Sequence, residues 1–167
     1  NLNPSPGQFI EVSIPGVGEC PLASCSYNKG YVNLLTKNAG NVTSAIFKLG
    51  KNDSVLIRGP YGKGFPIKEL ENNNLIMIAG GTGIAPVTSL IDYVEKNRKD
   101  FKEVFIYFGF RDEKHILLKD KIKDWKKEFK MHIGLSEDNK SSEYEKGFIQ
   151  EIIEKHKPKT EKTIALL

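Results

Sequence analysis

The sequence of 167 residues is 39% hydrophobic and 28% charged and has a formal net charge of +4, which is the composition of a globular protein and excludes a disordered chain. The lysines are interleaved with acidic residues, which argues against a nucleic-acid-binding surface, and no apolar run approaches the roughly 20 residues of a membrane-spanning helix. Because the N-terminus also lacks the pattern of a signal peptide, we expect a cytoplasmic protein with no nucleic-acid and no membrane partner.

The first 70 residues have the pattern of an antiparallel β module. Apolar and polar residues alternate from Gln8 to Pro15, and further strands are predicted over residues 30–36 and 54–58. Glycine and proline mark turns between these segments, for example at Gly59-Pro60, and a short helix is predicted over residues 43–49. Short strands at this spacing indicate a barrel or a sandwich.

The pattern changes after about residue 70, where buried strands alternate with amphipathic helices. The predicted segments are a strand at 75–79, a helix at 87–94, a strand at 104–108, a helix at 118–129, a strand at 131–135, a helix at 148–156 and a strand at 163–167. This alternation predicts a parallel sheet with crossover helices. We therefore interpret the chain as two domains, residues 1–70 and residues 71–167.

A glycine-rich loop joins the first strand and the first helix of the second domain. Gly81 and Gly83 carry no side chain, so an anion can approach the backbone amides closely, and Pro86 suits the first turn of a helix. The positive end of the helix dipole favours a phosphate there. The alternative is a tight turn without a ligand, but the strand-loop-helix context favours the pyrophosphate of a dinucleotide.

A second candidate contact follows the next strand, where an adenosine ribose would lie. Arg111 could pair with a 2′-phosphate, which favours NADPH, whereas Asp112 or Glu113 could accept from a 2′-hydroxyl, which favours NADH. The alternative is that these residues simply begin the next helix in solvent. The sequence leaves the choice of nucleotide open.

Six short motifs occur in an order that points to a known family. They are Pro6-Gly7-Gln8-Phe9, Pro21-Leu22, Gly40 to Ser44, Arg58 to Gly62, the segment GGTGIAP from Gly80 to Pro86, and Tyr107 to Arg111. Their order resembles the ferredoxin–NAD(P) reductase superfamily. It is most similar to electron-transfer subunits such as the anaerobic sulfite reductase B subunit, the sulfhydrogenase gamma subunit and the dihydroorotate dehydrogenase electron-transfer subunit.

The resemblance implies an antiparallel flavin-binding β-barrel followed by a Rossmann-like parallel α/β domain that binds NAD(P). We expect the barrel to be incomplete at the N-terminus and the α/β domain to be truncated at the C-terminus. In this family NADH or NADPH passes a hydride to FAD, and electrons leave through an iron–sulfur centre to a catalytic subunit or a ferredoxin. The cofactors carry that chemistry, so we expect no catalytic side chain.

The resemblance also implies the cofactor-binding residues. For FAD they are Pro21, Leu22, Ala23, Ser24, Leu34, Leu35, Thr36, Gly40, Asn41, Val42, Thr43 and Ser44, and for NAD(P) they are Gly81, Thr82, Gly83, Ile84, Pro86 and Arg111. Many relatives have an arginine, two further residues and a serine in the first flavin segment. Here Cys20 and Ala23 take those places, or Pro21 and Ser24 in the alternative alignment, so the arginine is missing in both.

Metal and cluster ligands are sparse in this sequence. Cys20 and Cys25 are too few for a four-thiolate cluster, so we expect a [2Fe–2S] centre only beyond Leu167. The three histidines are scattered and lack metal-ligand spacing, so we expect no metal site. The lysines of the second helix could dock an acidic ferredoxin, although a solvated helix face is the alternative.

Two other functions stay open. One is a nucleotide-binding or assembly module that has lost flavin, which the missing arginine favours. The other is a stand-alone NAD(P)H:acceptor reductase.

Overall fold

The computed structural model describes residues 2–137, 143–158 and 161–167. The chain divides into two compact units, Asn1–Phe65 with Ala85–Tyr93 and Pro66–Ile84 with Val94–Leu167. The division into two domains at residue 70 stays a prediction. None of the described helices is both long and apolar enough to cross a membrane.

The first unit is built on a three-stranded antiparallel sheet. Its elements are β1 (Phe9–Ile14), β2 (Gly18–Ala23), α1 (Asn41–Ile46) and β3 (Leu56–Tyr61). The strand order is β2-β1-β3, with β1 in the centre. Alternation along β1 buries Ile10 and Val12, which are 0% and 2% exposed, as the sequence pattern predicts.

Three predictions for the first unit are wrong in detail. Residues 30–36 do not form a strand, and only Leu34 makes an isolated bridge, to Ser24. The segment GECPLA was not predicted as a strand, yet it forms β2. Gly59-Pro60 lies inside β3 rather than in a turn, at a bulge in the pairing with β1. Edge strands tolerate proline and glycine, and pairing with β1 outweighs the weak local preference.

The second unit is an α/β sheet. Its elements, with the helix that also contributes residues to the first unit, are α2 (Ile67–Leu70), β4 (Asn74–Gly80), α3 (Ile84–Lys96), β5 (Val104–Phe110), α4 (Lys119–Glu128), β6 (Lys130–Leu135), β7 (Glu145–Lys146), α5 (Ile149–His156) and β8 (Thr163–Leu166). Every strand and helix predicted after residue 70 is present. The single turn α2 and the two-residue strand β7 were not predicted.

The parallel sheet has the order β7-β6-β5-β4-β8. The first strand, β4, pairs with β5 on one side and with β8 on the other. Strands β5 to β7 therefore extend the sheet on one side of β4, and β8 is added on the opposite side. Such a switch point is where open α/β sheets bind ligands, beyond the carboxyl ends of the strands. An antiparallel sheet followed by a parallel α/β sheet confirms the predicted fold class.

Candidate cofactor-binding sites

The glycine loop lies at the switch point of the parallel sheet. Strand β4 ends at Gly80, Gly81–Gly83 form a 3₁₀ turn, and α3 begins at Ile84. Gly81 has a φ of +53°, a conformation that side chains other than glycine adopt at a cost. Gly80, Gly81, Thr82 and Gly83 are exposed, so the backbone of the loop faces solvent.

The space in front of this loop is open. A β-carbon added at Gly81 or Gly83 would meet no atom within 4 Å. The loop therefore offers a bare backbone surface at the N-terminus of a 13-residue helix, where the helix dipole favours an anion. This arrangement fits the pyrophosphate of a dinucleotide.

Two residues predicted for the nucleotide site have restricted roles. Ile84 is completely buried, and its amide donates to the carbonyls of Gly81 and Thr82, so Ile84 anchors the start of α3. Pro86 is the third residue of α3 and lies in the first helical turn, where its lack of an N–H removes no helical hydrogen bond.

Arg111 follows the carboxyl end of β5, next to the strand that carries the glycine loop. Its Nε lies 2.6 Å from Oε1 of Glu137, and both side chains are at least half exposed. The hydrogen bond from Arg111 to Glu137 raises the pKa of the guanidinium. The backbone also joins the segments that follow β5 and β6, because the amide of Glu137 donates to the carbonyl of Arg111 over 2.9 Å. Glu137 was not predicted as a site residue; it lies two residues after the strand predicted at 131–135.

Asp112 has a structural role in the neighbouring turn. Its carboxylate accepts from the backbone amides of Lys114 and His115 at 2.8 and 3.2 Å and lies 2.8 Å from Nδ1 of His115. The hydrogen bond with the His115 ring lowers the pKa of Asp112. The predicted alternative had these residues begin the next helix; Asp112 instead caps the 3₁₀ turn Glu113–His115, which precedes α4.

In the first unit the predicted flavin segments lie side by side. Ala23 is the last residue of β2, and the next residue, Ser24, bridges to Leu34, so residues 21–24 and 34–36 are neighbours. The hydroxyl of Ser24 is buried and donates to the carbonyl of Ser26 over 2.9 Å. Ser24 is therefore engaged within the chain, and the exposed Pro21 is more available to a ligand.

The second predicted flavin element is the loop that begins α1. The Thr43 hydroxyl accepts from the amides of Ala39 and Gly40 at 3.0 and 2.9 Å, and the Ser44 hydroxyl donates to Asn38 over 2.6 Å. Both hydroxyls thus stabilise the loop itself. A β-carbon at Gly40 would meet no atom within 4 Å, so the backbone at the helix start is open.

The loop at α1 lies next to β2. A β-carbon at Gly18 of β2 would come within 3.3 Å of the Val42 side chain, which places Val42 against that strand. The structure thus brings the loop at 40–44 to the same sheet as residues 21–24. Asn41 is exposed at the start of the helix.

The first unit also contains a cleft of about 460 Å³. Apolar side chains dominate its lining, with Lys29 as the charged residue. It is lined by Leu2, Asn3, Ile10, Lys29, Gly30, Tyr31, Val32, Leu34 and Ile57. Of the predicted flavin residues, Leu34 alone lines this cleft.

The cysteines and the lysine-rich helix have structural explanations. Cys20 and Cys25 are thiols, and burial, with a smaller effect of the Glu11 charge, raises the pKa of Cys20. Several of the lysines in and after α4 form ion pairs: Lys126 with Glu143, Lys127 with Asp124, and Lys130 with Glu103. These pairs agree with a solvated helix face, and ferredoxin docking there stays a prediction.

Comparison with known proteins gave matches in sequence and in structure. The family model described as the oxidoreductase NAD-binding domain matches residues 77–167. The chain is similar to the gamma subunit of sulfhydrogenase 1 from Pyrococcus furiosus, with 47% identity over 95 residues, 56% of this chain and 32% of the relative. It is also similar to the electron transfer subunit of dihydroorotate dehydrogenase B (NAD(+)) from Clostridium perfringens, with 33% identity over 149 residues, 88% of this chain and 56% of the relative.

Among solved structures, a ferredoxin NADP⁺ reductase from Neisseria gonorrhoeae with bound FAD and NADP has a similar fold. Its TM-score is 0.75 at 18% identity, over 98% of this chain and 72% of that chain. The chain spans between about a third and just over half of the two curated relatives named above.

Proposed function

Because the chain belongs to the oxidoreductase NAD-binding domain family, we propose that it is part of a flavoprotein electron-transfer subunit that oxidises NADH or NADPH. The observation that carries this proposal is the open glycine loop at the switch point of the parallel sheet. The relatives support it, since they are the gamma subunit of a sulfhydrogenase and the electron transfer subunit of a dihydroorotate dehydrogenase.

In this proposal the chain binds and orients two cofactors. The nicotinamide nucleotide supplies a hydride and the flavin accepts it. The backbone at Gly81, Thr82 and Gly83 holds the pyrophosphate of the nucleotide at the N-terminus of α3. The segments at 21–24, 34–36 and 40–44 hold the flavin nucleotide, with the open backbone at Gly40 nearest to its phosphates.

Flavin binding can be tested directly. We expect the purified protein to be yellow or to take up added FAD, and we expect NADH or NADPH to bleach the flavin absorbance anaerobically. Replacing Gly40 with valine fills the open space at the start of α1, so FAD affinity should fall by roughly tenfold or more, because hydrogen bonds to charged groups contribute about 1.5–3 kcal/mol. A colourless protein that rejects added FAD would contradict the proposal.

A second function, a nucleotide-binding or assembly module without flavin, is favoured by one feature. Cys20, or Pro21 in the alternative alignment, stands where many relatives have the arginine that would pair with the FAD pyrophosphate, and an arginine–phosphate contact is among the stronger hydrogen bonds. This function predicts NADH or NADPH binding by calorimetry with no FAD binding at all. A stand-alone reductase instead predicts turnover with a soluble dye and no co-purifying subunit.

The Arg111–Glu137 pair leads to a prediction about nucleotide choice. Replacing Arg111 with alanine should weaken the binding of NADPH by roughly tenfold or more and the binding of NADH by much less, because only NADPH has a 2′-phosphate for a charged hydrogen bond. Replacing Glu137 with glutamine should strengthen the binding of NADPH relative to that of NADH, because the substitution removes the carboxylate that pairs with Arg111. Isothermal titration with both nucleotides measures this, and equal effects on the two would refute the role of Arg111.

The partners of the subunit are part of the same proposal. We expect a catalytic redox subunit, with a ferredoxin as a further partner, and a cytoplasmic location. Two cysteines cannot supply four thiolate ligands, so a [2Fe–2S] centre would need ligands from outside these 167 residues. Affinity purification from the native cell should recover a larger redox subunit, and recovery of the chain alone would favour the stand-alone reductase.

A further inference from the structure

Two histidines that are far apart in sequence meet in the fold of the second unit. His132 lies in β6, Glu145 in β7, and His156 is the last residue of α5. Nδ1 of His132 is 3.1 Å from Oε1 of Glu145, and Nε2 of His156 is 2.8 Å from the same oxygen. The two histidines are scattered in the sequence but close in the fold, because α5, which carries His156, packs against β5 and β6.

The three donor groups have the spacing of a metal site. One nitrogen from each histidine and one carboxylate oxygen all lie within 4.8 Å of one another. Zinc bonds of about 2.0–2.2 Å place the ligand atoms of a tetrahedral shell about 3.4 Å apart. Small side-chain rotations would therefore bring the three atoms to a common ion.

The surroundings fix part of this cluster and leave a polar group unsatisfied. The ring of His132 stacks on the ring of Tyr107, with 5.1 Å between the ring centres and an angle of 16° between the planes. The ring of His156 is tilted against the ring of His132, with 3.7 Å between their centres. Tyr107 is 1% exposed, and within the described part of the chain its hydroxyl has no hydrogen-bond partner. Buried hydroxyls rarely lack a hydrogen-bond partner, and a water molecule bound to a metal ion is one group that could bond to the Tyr107 hydroxyl.

The cluster is separate from the nucleotide loop. The glycine loop follows β4, whereas His132 and Glu145 lie in β6 and β7, the second and third strands from β4 in the sheet. At about 4.8 Å between neighbouring strands, roughly 10–14 Å separates the cluster from β4. The C-terminus of a helix also favours a positive charge.

We propose that His132, Glu145 and His156 form a binding site for a divalent cation of the zinc class, which fastens the end of α5 to β6 and β7. Two imidazoles and one carboxylate are a ligand set typical of zinc, with a fourth position for water. Lys155 is a competitor, because its ammonium lies 2.7 Å from Oε2 of Glu145 and is mostly exposed.

The test uses Co²⁺ and Zn²⁺ with the full chain after treatment with a chelator. We expect one equivalent of Co²⁺ to give visible absorption bands that Zn²⁺ abolishes by displacement. Replacing His156 with glutamine should weaken binding by more than the roughly 10–100-fold that loss of an outer partner costs. His115→Gln is the matched control, since that histidine forms an exposed pair with Asp112, and it should leave binding unchanged.

Two further measurements keep the outcome decisive. Zn²⁺ at about 100 times its dissociation constant should raise Tm by roughly 5–10 °C in the unmodified chain and not in His156→Gln. Lys155→Met should strengthen Co²⁺ binding severalfold, because it removes the competing ammonium. Absence of Co²⁺ bands, or bands that persist unchanged in both His132→Gln and His156→Gln, would overturn the proposal.

Discussion

Replacing Gly83 with valine is expected to weaken NADH and NADPH binding by roughly 10–100-fold while the protein stays folded. A β-carbon at this position meets no atom of the chain within 4 Å, so the folded state can accept it. The valine side chain would occupy the space that we assign to the pyrophosphate, and each lost hydrogen bond to a charged group costs about 1.5–3 kcal/mol. Isothermal titration calorimetry measures the loss, and circular dichroism checks the fold.

Gly40→Val is the matched control for this experiment. It fills a similarly open position in the first unit, so it should affect FAD and leave the nicotinamide nucleotides unchanged. Gly81 is a poorer choice, because its positive φ would make any side chain destabilising as well. Unchanged NADH and NADPH affinity in a folded Gly83→Val protein would remove the glycine loop from the proposed function.

Replacing Trp125 with alanine is expected to lower the free energy of unfolding by about 3–5 kcal/mol. Trp125 is 2% exposed, and its ring packs edge-on against Phe108 of β5 at 6.4 Å, so it joins α4 to the parallel sheet. For a chain of this size the loss corresponds to a fall in Tm of roughly 6–20 °C. Circular dichroism during urea unfolding is the suitable measurement, because Trp125 is the single tryptophan in the sequence.

The control for this stability experiment is Phe148→Ala. Phe148 is also a large aromatic residue of the second unit, but its side chain is 62% exposed, so its removal should change the free energy of unfolding by less than about 0.5 kcal/mol. Equal losses in the two variants would mean that α4 does not depend on Trp125 for its packing.

The second half of the fold was predictable because its local signals agree with one another. The runs at β4 and β5 are continuously apolar, as strands buried on both faces must be, and their helices carry apolar residues at helical spacing. The order of the motifs predicted the family, and the family-model match confirmed that resemblance.

The first half was harder because its strands depend on their partners. The β2 segment contains glycine and proline and has few β-branched residues, so nothing local predicts a strand before pairing with β1. Residues 30–36 have strand-like composition, yet Leu34 alone makes a bridge. Tertiary pairing decides both cases, which a single sequence does not display.

The candidate sites divide in the same way. The glycine loop was visible in sequence because its residues are contiguous and its conformation requires glycine. The Arg111–Glu137 pair and the His132–Glu145–His156 cluster join residues from different parts of the chain. Separations of 26, 13 and 11 residues carry no periodic signal, so only the fold reveals these groups.

The exposed strand β3 has a consequence for how the protein behaves in solution. All six of its residues are exposed, including the apolar Leu56 and Ile57, and among the described strands it pairs with β1 alone. Exposed edge strands that are long, flat and apolar recruit other chains into aggregates. Pro60 offers no N–H, Arg58 places a charge in the middle, and the bulge opposite β1 bends the strand. These features make β3 a poor template for intermolecular sheet growth, although it displays apolar side chains.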